Sequence, residues 1–283
     1  MIFLAIIKTI IDSITNITYK QALAYHPRAV VHASIGHFIK LIIVIGLLIF
    51  LPILSQINLE LVLFVLGSCL FAFFAGIISQ TCYRNEKISA LVPYSKADSI
   101  MVIIYSYFFL NSDNSVSFAS FIIALITIFF IVFMNIDFNN FTFSKYTGLY
   151  LVVKFLRMIG AIFLGYAIIQ TNPEVIYALE KMTYVVISIV SVIVLGIKFS
   201  DYKLPAGYYK LKMFNEILGI FTGLAGLFII KKLGLVISTM LGFLGFVGVM
   251  FFAYVLDGDK PSKKNFITGI IVMTLVSLGY YLK

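Results

Sequence analysis

The sequence predicts an all-α integral membrane protein with ten transmembrane helices, arranged as two inverted-topology repeats of five. Three observations carry the prediction. Hydrophobic residues make up 61% of 283 positions and charged residues only 12%, against about 45–50% and about 25% in ordinary globular chains. The apolar residues fall in long continuous runs rather than in the alternating ten-residue segments of a membrane barrel. A shift of 146 residues lays Pro27 on Pro173, Lys8 on Lys154 and Leu110 on Leu256. A domain of this size still needs a polar shell, so this composition excludes a soluble fold, and it equally excludes a disordered chain.

Ten runs are long enough, at about 20 residues, to cross a bilayer. The first five are Ile2–Leu23, Val30–Leu51, Leu59–Ile78, Ile88–Leu110 and Val116–Met134. The second five are Tyr146–Ile169, Val175–Ile197, Leu211–Ile230, Gly234–Leu256 and Phe266–Tyr281. Turn chemistry separates them: His26-Pro27, Leu51-Pro52, Asn111 to Asn114, Asn172-Pro173 and Asp257-Gly258-Asp259. The first run lacks the basic leader and small-residue cleavage site of a secretory signal. The repeats are expected over 1–137 and 147–283, with 138–146 as linker. Five is odd, so the second copy enters the membrane from the opposite side. Secondary transporters use this arrangement to build two gates around one midplane site.

A proline-opened span, a short polar turn and a closing span run from Ala90-Leu91-Val92-Pro93 through the fifth run. The second half repeats the pattern at Leu256-Asp257-Gly258-Asp259-Lys260-Pro261-Ser262, with Gly269 in the helix that follows. In these stretches, and in its ten-span 5+5 pattern, the chain resembles the EamA-like branch of the drug/metabolite transporter superfamily. The family's usual Gly-Glu turn is replaced here by Asn111 and Asp257. The resemblance implies transport of small metabolites, amino acids, nucleotide-sugars, phosphorylated compounds or lipid-linked sugars, and it implies that both termini are cytoplasmic.

The positive-inside rule reads the opposite orientation. Twelve basic residues lie in loops one, three, five, seven and nine, among them Arg28, Arg84, Lys145, Lys203, Lys212 and Lys263, whereas Lys231, Lys232 and Lys283 lie on the other side. The rule therefore places both termini outside. The same count explains the net charge of +9 through anionic lipid, without nucleic acid.

Ionisable residues within the runs are the chemical signal. A charge at a helix centre in the bilayer costs about 2.5–3.5 kcal/mol unless it meets a partner or a cavity. At 100° per residue, Lys8, Asp12, Asn16 and Tyr19 form one stripe on the first span. His37 and Lys40 are spaced i, i+3 on the second, and Lys154 shares a face with Arg157 on the sixth. Glu180, Lys181 and Tyr184 lie on the polar stripe of the seventh. On the fourth, Lys96 falls opposite Asp98; on the eighth, Asn215, Glu216, Gly219 and Thr222 share a broad face.

These residues predict a water-filled cavity lined by spans one, two, four, six and seven. Its substrate-binding set is Lys8, Asp12, Asn16, Tyr19, His37, Lys40, Lys96, Lys154, Arg157, Glu180, Lys181 and Tyr184. The basic excess favours an anionic or zwitterionic substrate, Arg157 offering a bidentate grip. Asp12 or Glu180 is placed to carry a coupling proton. Pairing of Lys8 with Asp12, gluing helices rather than binding substrate, is the alternative for span one. Gly234, Ser238, Gly242 and Gly245 make a small-residue stripe suited to close helix packing.

The expected function is a secondary transporter of a small polar metabolite working by alternating access, in a bacterial-type inner or plasma membrane, as monomer or homodimer. Its expected partners are a small-molecule substrate, membrane lipid and a coupling proton or exchange substrate. The alternative is a flippase for a phosphate-bearing lipid carrier or lipid-linked sugar. No GxSxG, HExxH or P-loop motif is present and His26, His32 and His37 lack ligand spacing. No enzyme, metal or other cofactor is therefore expected.

Overall fold

The computed structural model describes residues 2–50, 56–87, 91, 94, 97–109, 117–135, 145–242, 245–260 and, beyond those, 263, 266, 267, 269–271, 274, 275 and 278. Nine α-helices follow one another among these residues, with a 3-10 turn at Phe199–Tyr202, and no strand occurs among them. They are α1 (Ile2–Leu23), α2 (Ala29–Phe50), α3 (Leu59–Asn85), α4 (Ala97–Phe109) and α5 (Phe118–Asn135), then α6 (Lys145–Gln170), α7 (Pro173–Val194), α8 (Ala206–Gly242) and α9 (Gly245–Asp257). Five stretches are long and apolar enough to cross a membrane: Ala29–Gly46, Leu59–Asn85, Gly148–Gln170, Pro173–Val194 and Ala206–Gly234.

The ends follow local chemistry. His26 takes a positive φ of 52° and, with Pro27, separates α1 from α2. Asn58 caps α3, its side-chain oxygen accepting from Leu61 N–H at 2.7 Å. Pro173 opens α7, where its missing N–H is no loss. Gly234, at φ 80° and ψ 161°, breaks α8 where the eighth apolar run gives way to the ninth; only a residue without Cβ enters that conformation freely. In the fourth run Leu91 is helical and Tyr94 lies in a 3-10 turn, α4 runs from Ala97, and residues 88–90, 92, 93, 95 and 96 lie outside the described set.

Polarity is inverted relative to a soluble protein. On α7 the buried face carries Tyr177, Lys181 and Ser188, whereas Val186, Ile189, Val190 and Ile193 point outward. Phe3, Phe74, Phe129 and Phe155 are likewise exposed, while Ser13, His32, Ser79, Lys154 and Glu216 are buried. An apolar exterior with polar and charged side chains among those buried suits an apolar solvent, and the fold is that of an α-helical membrane protein.

Three long pairings organise the bundle: α3 along α6, α1 along α8 and α2 along α7. Smaller contacts join α1 to α9, α4 to α6, α3 to α7 and α2 to α8. Small residues permit the close approaches. A Cβ at Gly160 would stand 3.1 Å from the Ser68 carbonyl oxygen, and one at Gly248 2.6 Å from Ser13 Oγ. Asn215 ties α8 to α1, donating to Thr15 O at 2.6 Å and Thr18 Oγ1 at 2.9 Å.

At one end of the bundle, the linker between α7 and α8 folds back on the start of α2. Asp201 accepts the Lys198 backbone N–H at 2.9 Å and Arg28 Nη1 at 2.8 Å. That N–H, and secondarily Arg28, hold the Asp201 carboxyl below its ordinary value. A depressed carboxyl stabilises the folded state fully above the ordinary range near pH 4 and loses that contribution as pH falls through the lowered value. We expect an NMR titration to show Asp201 ionising below the normal range, and Arg28→Ala to recover only part of the shift. A titration at the ordinary value removes the contact. The site is exposed, so added salt weakens it further.

Candidate functional site

A cavity of about 220 Å³ opens where α1, α2, α3, α7 and α8 meet. Its floor is ionic. Lys212 and Glu216, spaced i, i+4 on one face of α8, pair at 2.5 Å through Glu216 Oε1. Lys40 of α2 takes the other oxygen at 2.5 Å. Both lysines and the carboxylate are largely buried. Gly36 makes room: a Cβ there would overlap the Glu216 carboxylate and stand 3.0 Å from Lys212 Nζ.

Lys212 also reaches His32 Nε2 at 3.1 Å, and His32 Nδ1 lies 3.0 Å from the Tyr208 hydroxyl. An ammonium has only donors, so Nε2 accepts. Neutral His32 then carries its proton on Nδ1 and donates to Tyr208. The ring is thereby fixed as one tautomer against Lys212, while the edge of Tyr19 packs on it at 4.9 Å.

The wall from α7 is aromatic. His37 stacks on Tyr184 with centroids 4.7 Å apart, and its Nδ1 lies 2.6 Å from Ser188 Oγ. Lys181 Nζ sits 4.8 Å from the Tyr177 ring and 5.3 Å from that of Tyr184, and pairs with Glu180 at 3.0 Å. Ala72, Gly76 and Gln80 of α3 complete the lining.

A second charged group surrounds α6. Lys154 pairs with Asp98 of α4 at 3.5 Å and faces the Tyr150 ring at 5.1 Å. Arg157, one turn on and half-buried, has Tyr19, Tyr83, Tyr150 and Asp98 within electrostatic reach. It makes no ion pair at 4 Å or less with any carboxylate among the described residues. The Tyr83 and Tyr150 hydroxyls bond each other at 3.0 Å beside it.

Of the residues expected from sequence, Tyr19, His37, Lys40 and Tyr184 line the cavity. Lys181 stands behind Tyr184, with Glu180 on Lys181. Lys8 bonds Asp12 within α1 and its stem packs over Gly226, while Asn16 donates to the Asp12 carbonyl at 2.9 Å. Those three therefore serve the α1 surface and its contact with α8 rather than the cavity wall. Lys96 lies outside the described residues. The cavity draws on α3 and α8 where spans four and six were expected, because small side chains bring α3 close and α8 turns its charged face inward along α1.

Lys212, Glu216 and His32 are the ionisable lining residues that the sequence set left out. The i, i+4 spacing of Lys212 and Glu216 was visible. Lys212 stands at the second position of the eighth apolar run, at the edge that the charge count assigns to the preceding loop, yet α8 begins at Ala206 and buries it. The spacing of His32 speaks only to metal ligation.

No family model and no curated protein matches the sequence. Nineteen chains of solved structures match the fold. One of them, a crystal structure of a protein, covers 99% of this chain and 96% of its own at a TM-score of 0.68 and 11% identity. The helical arrangement thus occurs in another protein of very different sequence.

Proposed function

We propose that this chain is a multi-pass membrane transporter of the drug/metabolite transporter type, moving a small anionic or zwitterionic metabolite by alternating access. The observation that carries the reading is the cationic cavity: two lysines on one carboxylate in a buried, aromatic-walled space, with Arg157 nearby. Buried charge of this kind is costly in an apolar solvent, and it marks substrate or ion pathways.

The helix pairings support a 5+5 inverted repeat. Moving each helix five places along turns α1–α8 into α6–α3 and returns α2–α7 to itself. The same move turns α3–α7 into α8–α2 and α1–α3 into α6–α8. The two halves on this reading are 1–137 and 147–283, with ten spans in all. An apolar cluster joins Val44 and Ile220, each about one turn beyond the ionic floor on α2 and α8, with Leu227 further along α8 and with Val65 and Tyr177 from α3 and α7. A site sealed apolar at one end is one state of an alternating-access cycle.

Proteoliposomes holding the purified chain are expected to take up labelled small organic anions from a mixed pool and to leave cations of equal size outside. Uptake of neither beyond that of empty vesicles, or of both alike, rejects the proposal.

A further inference from the structure

The ionic floor of the cavity is not neutral. Lys40 and Lys212 share one carboxylate, Glu216, and both of its oxygens are taken. Glu216 is the one carboxylate that lines the cavity among the described residues. Lys181, behind Tyr184, is balanced by its own Glu180. His32 stays neutral because its Nε2 accepts from Lys212, and protonation of His37 would only add to the excess. The cavity therefore holds one positive charge too many, and an unmatched buried charge is costly.

A second unmatched group lines the same space from α3. Gln80 is 2% exposed. Its Nε2 donates to the Ala29 carbonyl at 3.1 Å, which fixes the two ends of the amide. The other end, Oε1, is buried and has no hydrogen-bond partner among the described residues. Buried acceptors are nearly always paired, so this one is open to a donor. The floor lacks an anion and the α3 wall lacks a donor. The rings of His37, Tyr184 and Phe73 offer apolar contact to a carbon skeleton. At about 220 Å³ the space is smaller than the about 300–1,000 Å³ of sites for drug-sized molecules, so the skeleton is short.

We infer that the ligand is a small hydroxy acid, a monoanion whose carboxylate takes the surplus charge of Lys40 and Lys212 and whose hydroxyl donates to Gln80 Oε1. A zwitterion has an anion and a donor but no net charge. It leaves the surplus standing, and its ammonium finds Glu216 already held by two lysines. A plain carboxylate balances the charge and leaves Gln80 unpaired. The inference rests on the transporter reading and narrows its anionic or zwitterionic substrate to one class.

The test uses three-carbon acids that differ at one position. Lactate, alanine and propionate carry a hydroxyl, an ammonium and a hydrogen on C2; 3-hydroxypropionate and β-alanine move the group one carbon along. Binding to the full-length protein in detergent is read by titration and by thermal shift. One of the two hydroxy acids is expected to bind about three- to tenfold more tightly than propionate, the range of one neutral hydrogen bond, and about tenfold or more above its amino counterpart. Gln80→Leu is expected to erase the margin over propionate and to keep the margin over the amino acid. Gln80→Glu supplies the missing negative charge and is expected to turn the preference toward the amino acid. The wild-type comparison stands alone if either variant fails to fold. Propionate binding as tightly as both hydroxy acids, or an amino acid binding as tightly as its hydroxy counterpart, overturns the inference and leaves the transporter reading in place. A folded Gln80→Leu protein that keeps the margin over propionate overturns it as well. If none of the five acids binds while vesicles take up another anion, the inference fails and the transporter reading survives; with no anion uptake either, both fail.

Discussion

Gly36→Ala is expected to lower the melting temperature of the purified protein and to abolish uptake, although the change adds a single methyl group. Within a helix the substitution by itself favours alanine by up to about 1 kcal/mol. At this position the new Cβ would overlap the Glu216 carboxylate. A glutamate end is normally free to swing aside, but this one is clamped by Lys40 and Lys212 at 2.5 Å each. Moving it opens two buried ion pairs. Overpacking typically costs about 1–3 kcal/mol, and breaking a buried pair about 3–5 kcal/mol, so the loss outweighs the gain in helix propensity. Gly46 and Gly148 have nothing within 4 Å of a built Cβ, and alanine there should leave the melt unchanged or slightly raised. Adding Glu216→Asp to Gly36→Ala shortens the clamped side chain by one carbon and should restore part of the loss. A Gly36→Ala protein that melts and transports like wild type would show that the carboxylate is not held as described.

Helix placement was largely legible because apolar runs and turn residues act locally. The first run and α1 share both ends, Ile2 and Leu23, and Gly234 breaks the chain where two runs meet. The site was legible only as stripes. Periodicity gives the face on which Lys154 lies, but its partner Asp98 comes from another helix, 56 residues away. The sequence set Asp98 against Lys96 on its own helix, since nothing local reveals that α4 packs on α6. Lys8 and Asp12 show the converse: their pairing needs only i, i+4 spacing, so the helix-gluing alternative was available from sequence alone. Lys212 escaped because a cation at the edge of an apolar run reads as an interfacial charge, and only the packing of α8 along α1 buries it.

Arg157→Ala is expected to produce the largest functional loss with the smallest structural one. Among the described residues its guanidinium makes no ion pair with a carboxylate, so deleting it strands no buried anion. The melt should stay close to wild type. Transport should fall through a raised KM of about ten- to a hundredfold, because a charge-assisted contact contributes about 1.5–3 kcal/mol and each 1.4 kcal/mol is tenfold. Arg157→Lys keeps the charge but loses the planar fork and should recover only part of the affinity. Lys154→Ala makes the instructive contrast. It removes the cation 3.5 Å from Asp98 and so breaks a part-buried ion pair between α4 and α6, and the protein itself should lose stability along with transport. A residue that only braced the α4–α6 seam would lower the melt when removed and leave KM alone. Arg157 is predicted to do the reverse, and an Arg157→Ala protein with a normal KM would take it out of the binding site.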